Sequence, residues 1–74
     1  AMKIYPNPTN IGQVTIDSPE NGYINVQVYD VLGKQVKKET LTSKVFSVFD
    51  LIPGLYIMQI TQNGSFTTEK LMIN

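Results

Sequence analysis

Residues 24–36 constrain the fold more than any other stretch, because they join a cleanly alternating strand to a turn whose residues nearly dictate its geometry. Ile24, Val26 and Val28 fall on one face of an extended chain, and Asn25, Gln27 and Tyr29 on the other. That two-residue period belongs to a half-buried strand, whose apolar face requires a core. At the corner, Asp30 can accept a hydrogen bond from the backbone two residues on, Val31 and Leu32 suit right-handed turn positions, and Gly33 supplies a positive φ. The expectation is a type I turn closed by Gly33 as a left-handed G1-type bulge, with Lys34 opening the return strand.

The remaining segments extend this pattern. Ile4-Tyr5 is a short extended piece, and the prolines of Pro6-Asn7-Pro8 fix φ and remove backbone donors. The segment therefore reads as a rigid lead-in turn beside a sheet edge, more readily than as a motif read by a partner. Residues 13–17 alternate with Val14 and Ile16 inward, and residues 18–22 carry turn chemistry throughout. Residues 35–40 read as an edge strand, on which Lys37 and Lys38, beside Lys34, discourage edge-to-edge aggregation more readily than they form a basic binding patch. In residues 45–48, Phe46 and Val48 face inward; residues 50–54 turn a corner; Tyr56, Met58 and Ile60 then enter the core while Ile57 points out. Asn63-Gly64 suits a type I′ turn, which also accounts for the letters of the sequon Asn63-Gly64-Ser65. In residues 65–73, Phe66 lies on one parity and Leu71 and Ile73 on the other, which calls for a bulge between Thr67 and Lys70 or an apolar outer face near the end. Seven short strands without a helical period predict an all-β, antiparallel β-sandwich of two small sheets.

Composition removes most chemistry. The 74 residues make one small domain, able to bury roughly 60% of its unfolded surface. Without cysteine or histidine there is neither a disulfide staple nor the usual ligand set for zinc, and nothing to activate Ser18, Ser43, Ser47 or Ser65 as a nucleophile. The six carboxylates are scattered without calcium-loop spacing, and the five glycines fall one per turn instead of forming a phosphate cradle. The expectation is a non-enzyme with no catalytic residues, no metal and no cofactor. Six acidic and six basic side chains cancel, leaving no field to hold nucleic acid. The longest apolar run, residues 55–58, is far below the roughly 18 residues of a membrane-spanning helix, so no membrane insertion is expected. Residues 1–2 read as a cloning scar and no signal peptide opens the chain, which suggests a module cut from a longer protein. Tyr23, Tyr29 and Ile57 as surface groups leave open a fibronectin- or adhesin-like accessory module that binds glycan or protein.

Four motifs in fixed order carry a further reading: Tyr5-Pro6-Asn7-Pro8, then residues 28–36 with Asp30, Gly33 and Lys34, then Leu51-Ile52-Pro53-Gly54-Leu55-Tyr56, and finally Glu69-Lys70-Leu71-Met72-Ile73-Asn74. Together they resemble the type A C-terminal sorting domain of the type IX secretion system in Bacteroidota, over nearly the whole chain. The resemblance implies an immunoglobulin-like sandwich over residues 3–74. It further implies a sorting signal that carries an N-terminally attached cargo through the periplasm and across the outer membrane to the cell surface or medium. Its implied partners are the translocon, a shuttle and a sortase-like peptidase that usually removes the domain. Gly33 and Gly54 match the family's turn glycines and Tyr56 its sixth-strand aromatic; Lys70 matches its lysine, and Leu71, Met72, Ile73 and Asn74 its terminal signal. Phe49, Glu69 and Asn74 depart from the pattern. Recognition is expected at residues 70–74, and the sequence leaves open a weak dimer through an edge strand.

Overall fold

The computed structural model describes residues 2–74. Seven strands follow one another with no helix among the described residues: β1 (Lys3–Tyr5), β2 (Gln13–Asp17), β3 (Ile24–Tyr29), β4 (Gln35–Leu41), β5 (Val45–Ser47), β6 (Gly54–Gln62) and β7 (Ser65–Ile73). They form a three-stranded sheet ordered β1-β2-β5 and a four-stranded sheet ordered β4-β3-β6-β7, every strand pair antiparallel. The all-β, two-sheet expectation holds, and each expected strand lies where alternation put it.

The core forms where the apolar faces of the two sheets meet. Ile4, Val14, Ile16, Phe46 and Val48 come from the small sheet and its exit; Ile24, Val26, Val28, Leu41, Tyr56, Met58, Ile60, Leu71 and Ile73 come from the large one. Burying so many branched and aromatic side chains supplies the cohesion that a chain without disulfides needs. Met2 also packs into this core. Of the two residues read as a cloning scar, Ala1 lies outside the described residues.

The turns follow from their letters. Gly33 has φ +86°, its N–H donates to the Asp30 carbonyl at 3.0 Å, and Asp30 Oδ1 accepts from Leu32 N and Lys34 N, each at 2.9 Å. This is the expected turn. Asn63 and Gly64 have φ of +50° and +82°, as a type I′ hairpin demands. The Asn63 amide nitrogen donates to Glu20 Oε1 and to the Asn21 carbonyl, both at 2.9 Å, so this side chain is part of the fold.

Of the two alternatives for β7 the outer apolar face holds, with Met72 opposite Leu55, and one expectation, for Lys37, is corrected. β7 pairs with β6 in unbroken register from Gly54↔Ile73 to Gln62↔Ser65, so no bulge separates Thr67 from Lys70. The parity conflict is resolved by turning Phe66 outward, where it is 61% exposed, while Leu71 and Ile73 are buried. The bulge lies in β4 instead: Val28 pairs with Lys37 and Tyr29 with Gln35, leaving Val36 as the extra residue. Lys37 therefore shares the inner face with Val28 and is not an outward guard of the edge. Its side chain is only 15% exposed; Nζ lies 5.0 Å from the Phe46 ring centroid and donates to the Ser47 carbonyl at 2.7 Å and to Asp50 Oδ1 at 2.8 Å. A lysine at a sheet rim can bury its stem and keep its ammonium paired in this way.

Candidate functional site

The site builds outward from β7, an edge strand of the large sheet. Within a strand, the N–H and C=O of one residue point to the same side, and those of its neighbours to the other. An edge strand thus offers every second residue to whatever lies beside it. In β7 that neighbour is the segment after β1. Asn7 Nδ2 donates to the Lys70 carbonyl at 2.7 Å, and Asn7 Oδ1 accepts from Met72 N at 3.0 Å. A carboxamide carries one donor group and one acceptor, so this side chain stands in for a peptide unit of a neighbouring strand. The backbone completes the clasp. Thr9 N donates to the Met72 carbonyl and Asn74 N donates to the Thr9 carbonyl, both at 2.9 Å, which makes a parallel bridge between Thr9 and Ile73.

Thr9 is fully buried and its hydroxyl donates to the Gln13 carbonyl at 2.8 Å, tying the clasp to the start of β2. Pro6-Asn7-Pro8 is therefore a turn beside an edge, as its prolines imply, and the edge belongs to the opposite sheet. On the other flank of the sandwich, Lys37 makes the matching link from β4 to the Ser47 carbonyl of β5 and to Asp50 beyond it. Lys37–Asp50 is the ion pair found among the described residues. The hydrogen bond from the Lys37 ammonium, then the backbone hydrogen bond at Asp50, hold the Asp50 carboxyl below the usual carboxylate range; desolvation opposes them, and the lysine's charge adds the smallest pull in the lowering direction.

The five residues expected to carry the signal divide by parity. Leu71 and Ile73 belong to the core and cannot be touched by a partner while the domain is folded. Lys70, Met72 and Asn74 are exposed, Met72 at 37%. Among the motif residues, Tyr56 is buried and its hydroxyl donates to the Ile52 carbonyl at 2.6 Å, bracing the corner that leads into Gly54 and β6. Asp30, Gly33 and Lys34 stand together in the β3–β4 turn, and Tyr5 is exposed on β1. Tyr29 and Ile57 are cross-strand partners on the outer face of the large sheet, with the Tyr29 hydroxyl donating to Gln27 Oε1 at 2.8 Å. Tyr23 is also exposed but precedes β3 at the opposite end of the molecule.

The buried Thr9 and Gln62 were not expected. Gln62 lies at the end of β6, accepts a hydrogen bond from the Ser18 hydroxyl and donates to the Gly22 carbonyl at 3.1 Å, holding the β2–β3 turn against the β6–β7 turn. Continuing the inward parity of Tyr56, Met58 and Ile60 by one step would have found it. No such signal marks Thr9, whose burial comes from the clasp. Among the described residues, no three acidic, histidine or cysteine side chains gather where they could hold a metal ion.

Fold and site together define a small two-sheet β-domain whose final strand is built into the core by its inward side chains and into the opposite sheet by its backbone. The chain belongs to the family described as secretion system C-terminal sorting domain, whose sequence profile matches residues 3–74. No curated protein matches the chain significantly.

Proposed function

We propose that the domain is the non-catalytic sorting signal of the type IX secretion system, read as a folded unit after its cargo has reached the periplasm. The match of the sorting-domain family over residues 3–74 carries this reading. Its cargo is attached N-terminally and delivered to the cell surface or the medium, and a sortase-like peptidase then removes the domain. The translocon and its shuttle are the partners. The groups offered to them from the chain's end are the side chains of Lys70, Met72 and Asn74, because the outward backbone beside them is taken by Asn7 and Thr9. Recognition by strand addition along residues 70–74 would first have to displace the clasp.

The test is a reporter carrying an inner-membrane export signal at its N-terminus and residues 3–74 at its C-terminus, expressed in a Bacteroidota host. The reporter is expected at the surface or in the medium of cells with a working type IX translocon, and in the periplasm of cells without it. Periplasmic retention in both strains would overturn the assignment.

A further inference from the structure

The outer face of the four-stranded sheet carries a charge asymmetry that the neutral composition conceals. Cross-strand partners share a face, so Gln35, Lys38 and Thr40 of β4 stand with Tyr29, Gln27 and Asn25 of β3, and these in turn with Ile57, Gln59 and Thr61 of β6. β7 adds Met72 opposite Leu55, Lys70 opposite Ile57, Thr68 opposite Gln59 and Phe66 opposite Thr61. The face holds two lysines, Lys38 and Lys70, and none of the six carboxylates. Neither lysine is ion-paired; the ion pair found among the described residues engages Lys37.

One half of this face is apolar. Tyr29, Ile57 and Lys70 form a continuous cross-strand row, Leu55 and Met72 form the adjacent pair, and the strip runs on past Tyr29 into a turn that exposes Val31 and Leu32. Both edges of the sheet are blunted: the last part of β7 by the clasp, and β4 by its bulge at Val36. A partner reaching the chain's end therefore meets side chains of the face before it meets free backbone.

We propose that this face is a docking surface for an acidic protein patch of the secretion machinery, with apolar contacts to Tyr29, Leu55, Ile57 and Met72 and carboxylates opposite Lys70 and Lys38. The proposal rests on the sorting function above and gives it a location. Charge complementarity selects the occupant: a face whose paired strands carry two lysines and no carboxylate side chain repels another copy of itself and attracts an anionic surface. Tyr29 and Ile57, which suggested an accessory binding module, and Lys70 and Met72, which lie in the terminal signal, then belong to one surface.

The same reporter, fused to variants of residues 3–74, tests this. The double variant Lys38→Glu/Lys70→Glu is expected to lower export about tenfold or more, with Lys70→Arg restoring most of it when combined with native Lys38. Lys3→Glu, on the outer side of β1 in the small sheet, is expected to leave export unchanged. Because all three lysines are exposed, circular dichroism should record closely similar melting temperatures for the purified fusions. An Ile57→Thr variant gives the same readout from the apolar half. If the unmodified fusion is exported and the double variant is exported equally well, the docking surface is overturned while the sorting function stands. If the unmodified fusion fails, both fall. Loss of dimerisation or of glycan binding in the double variant, with export intact, would also overturn the proposal by assigning the face to another occupant.

Discussion

Asn7 makes the most consequential contact of any single residue, since its amide joins positions 63 and 65 residues away in the chain. Asn7→Ala removes both hydrogen bonds at an exposed site and is expected to cost about 1–2 kcal/mol. For a domain of this size that lowers the melting temperature by about 4–8 °C per kcal/mol, measurable by thermal denaturation. Asn7→Asp keeps an acceptor for Met72 N but sets an oxygen against the Lys70 carbonyl, so it should not recover the loss. Asp50 yields a pH prediction whose sign is fixed by its environment. Its pKa is lowered from 3.8 in the folded state, so the folded state releases this proton more readily than the unfolded chain. Its contribution is thus present above the unfolded value and disappears as pH falls through the folded one. Urea midpoints of the native chain and of Asp50→Asn should differ slightly at pH 7 and converge as the pH falls through the lowered folded-state value, the gap being small because the carboxylate is 65% exposed. A gap that widened on acidification would contradict the Lys37 contact.

Local elements were legible wherever a short-range rule applied, and obscure wherever a distant segment completed them. Alternation alone assigned Ile24, Val26 and Val28, Val14 and Ile16, and Tyr56, Met58 and Ile60 to the core, because the side-chain period of a strand is a local property. Gly33 was legible for the same reason. Its φ of +86° has no steric neighbour behind it, so Gly33→Ala is expected to cost about 1 kcal/mol from backbone conformation alone, read from chemical denaturation. The clasp was not legible, since nothing near Asn7 or Thr9 reveals that the end of β7 lies alongside. Lys37 was misread because its inward direction depends on the extra residue at Val36. Hydrogen exchange separates the two halves of the β7 edge. The amides of Met72 and Asn74, bonded to Asn7 and Thr9, should exchange slowly, and those of Phe66 and Thr68, which face the open edge, quickly. In Asn7→Ala, Met72 should join the fast group; unchanged protection there would mean that Asn7 does not close this edge.

At the scale of the whole molecule, the terminal strand is framework through its inward side chains and, in the function proposed above, signal through its outward ones, so the two roles can be separated by parity. A 74-residue domain has about 4–11 kcal/mol of stability at typical per-residue values. Leu71 is fully buried and Ile73 nearly so, and truncating a buried Leu or Ile to Ala removes about 2–5 kcal/mol. Deleting residues 70–74 removes both side chains together with the strand half that receives the clasp, which approaches or exceeds the whole stability. The truncated domain is therefore expected to lose cooperative unfolding and near-ultraviolet dichroism, and its failure to be exported would report unfolding as much as loss of a signal. Outward substitutions act differently. Met72→Thr and Asn74→Ala leave the core side chains and the backbone of the clasp in place, so they should alter export with little change in the unfolding midpoint. Leu71→Ala should shift the midpoint strongly and reduce export only as far as the folded fraction falls. Measuring export and stability for these three variants side by side distinguishes a folded surface from a linear tag: if export followed the identity of every terminal residue, buried and exposed alike, irrespective of stability, the signal would be the peptide and not the fold.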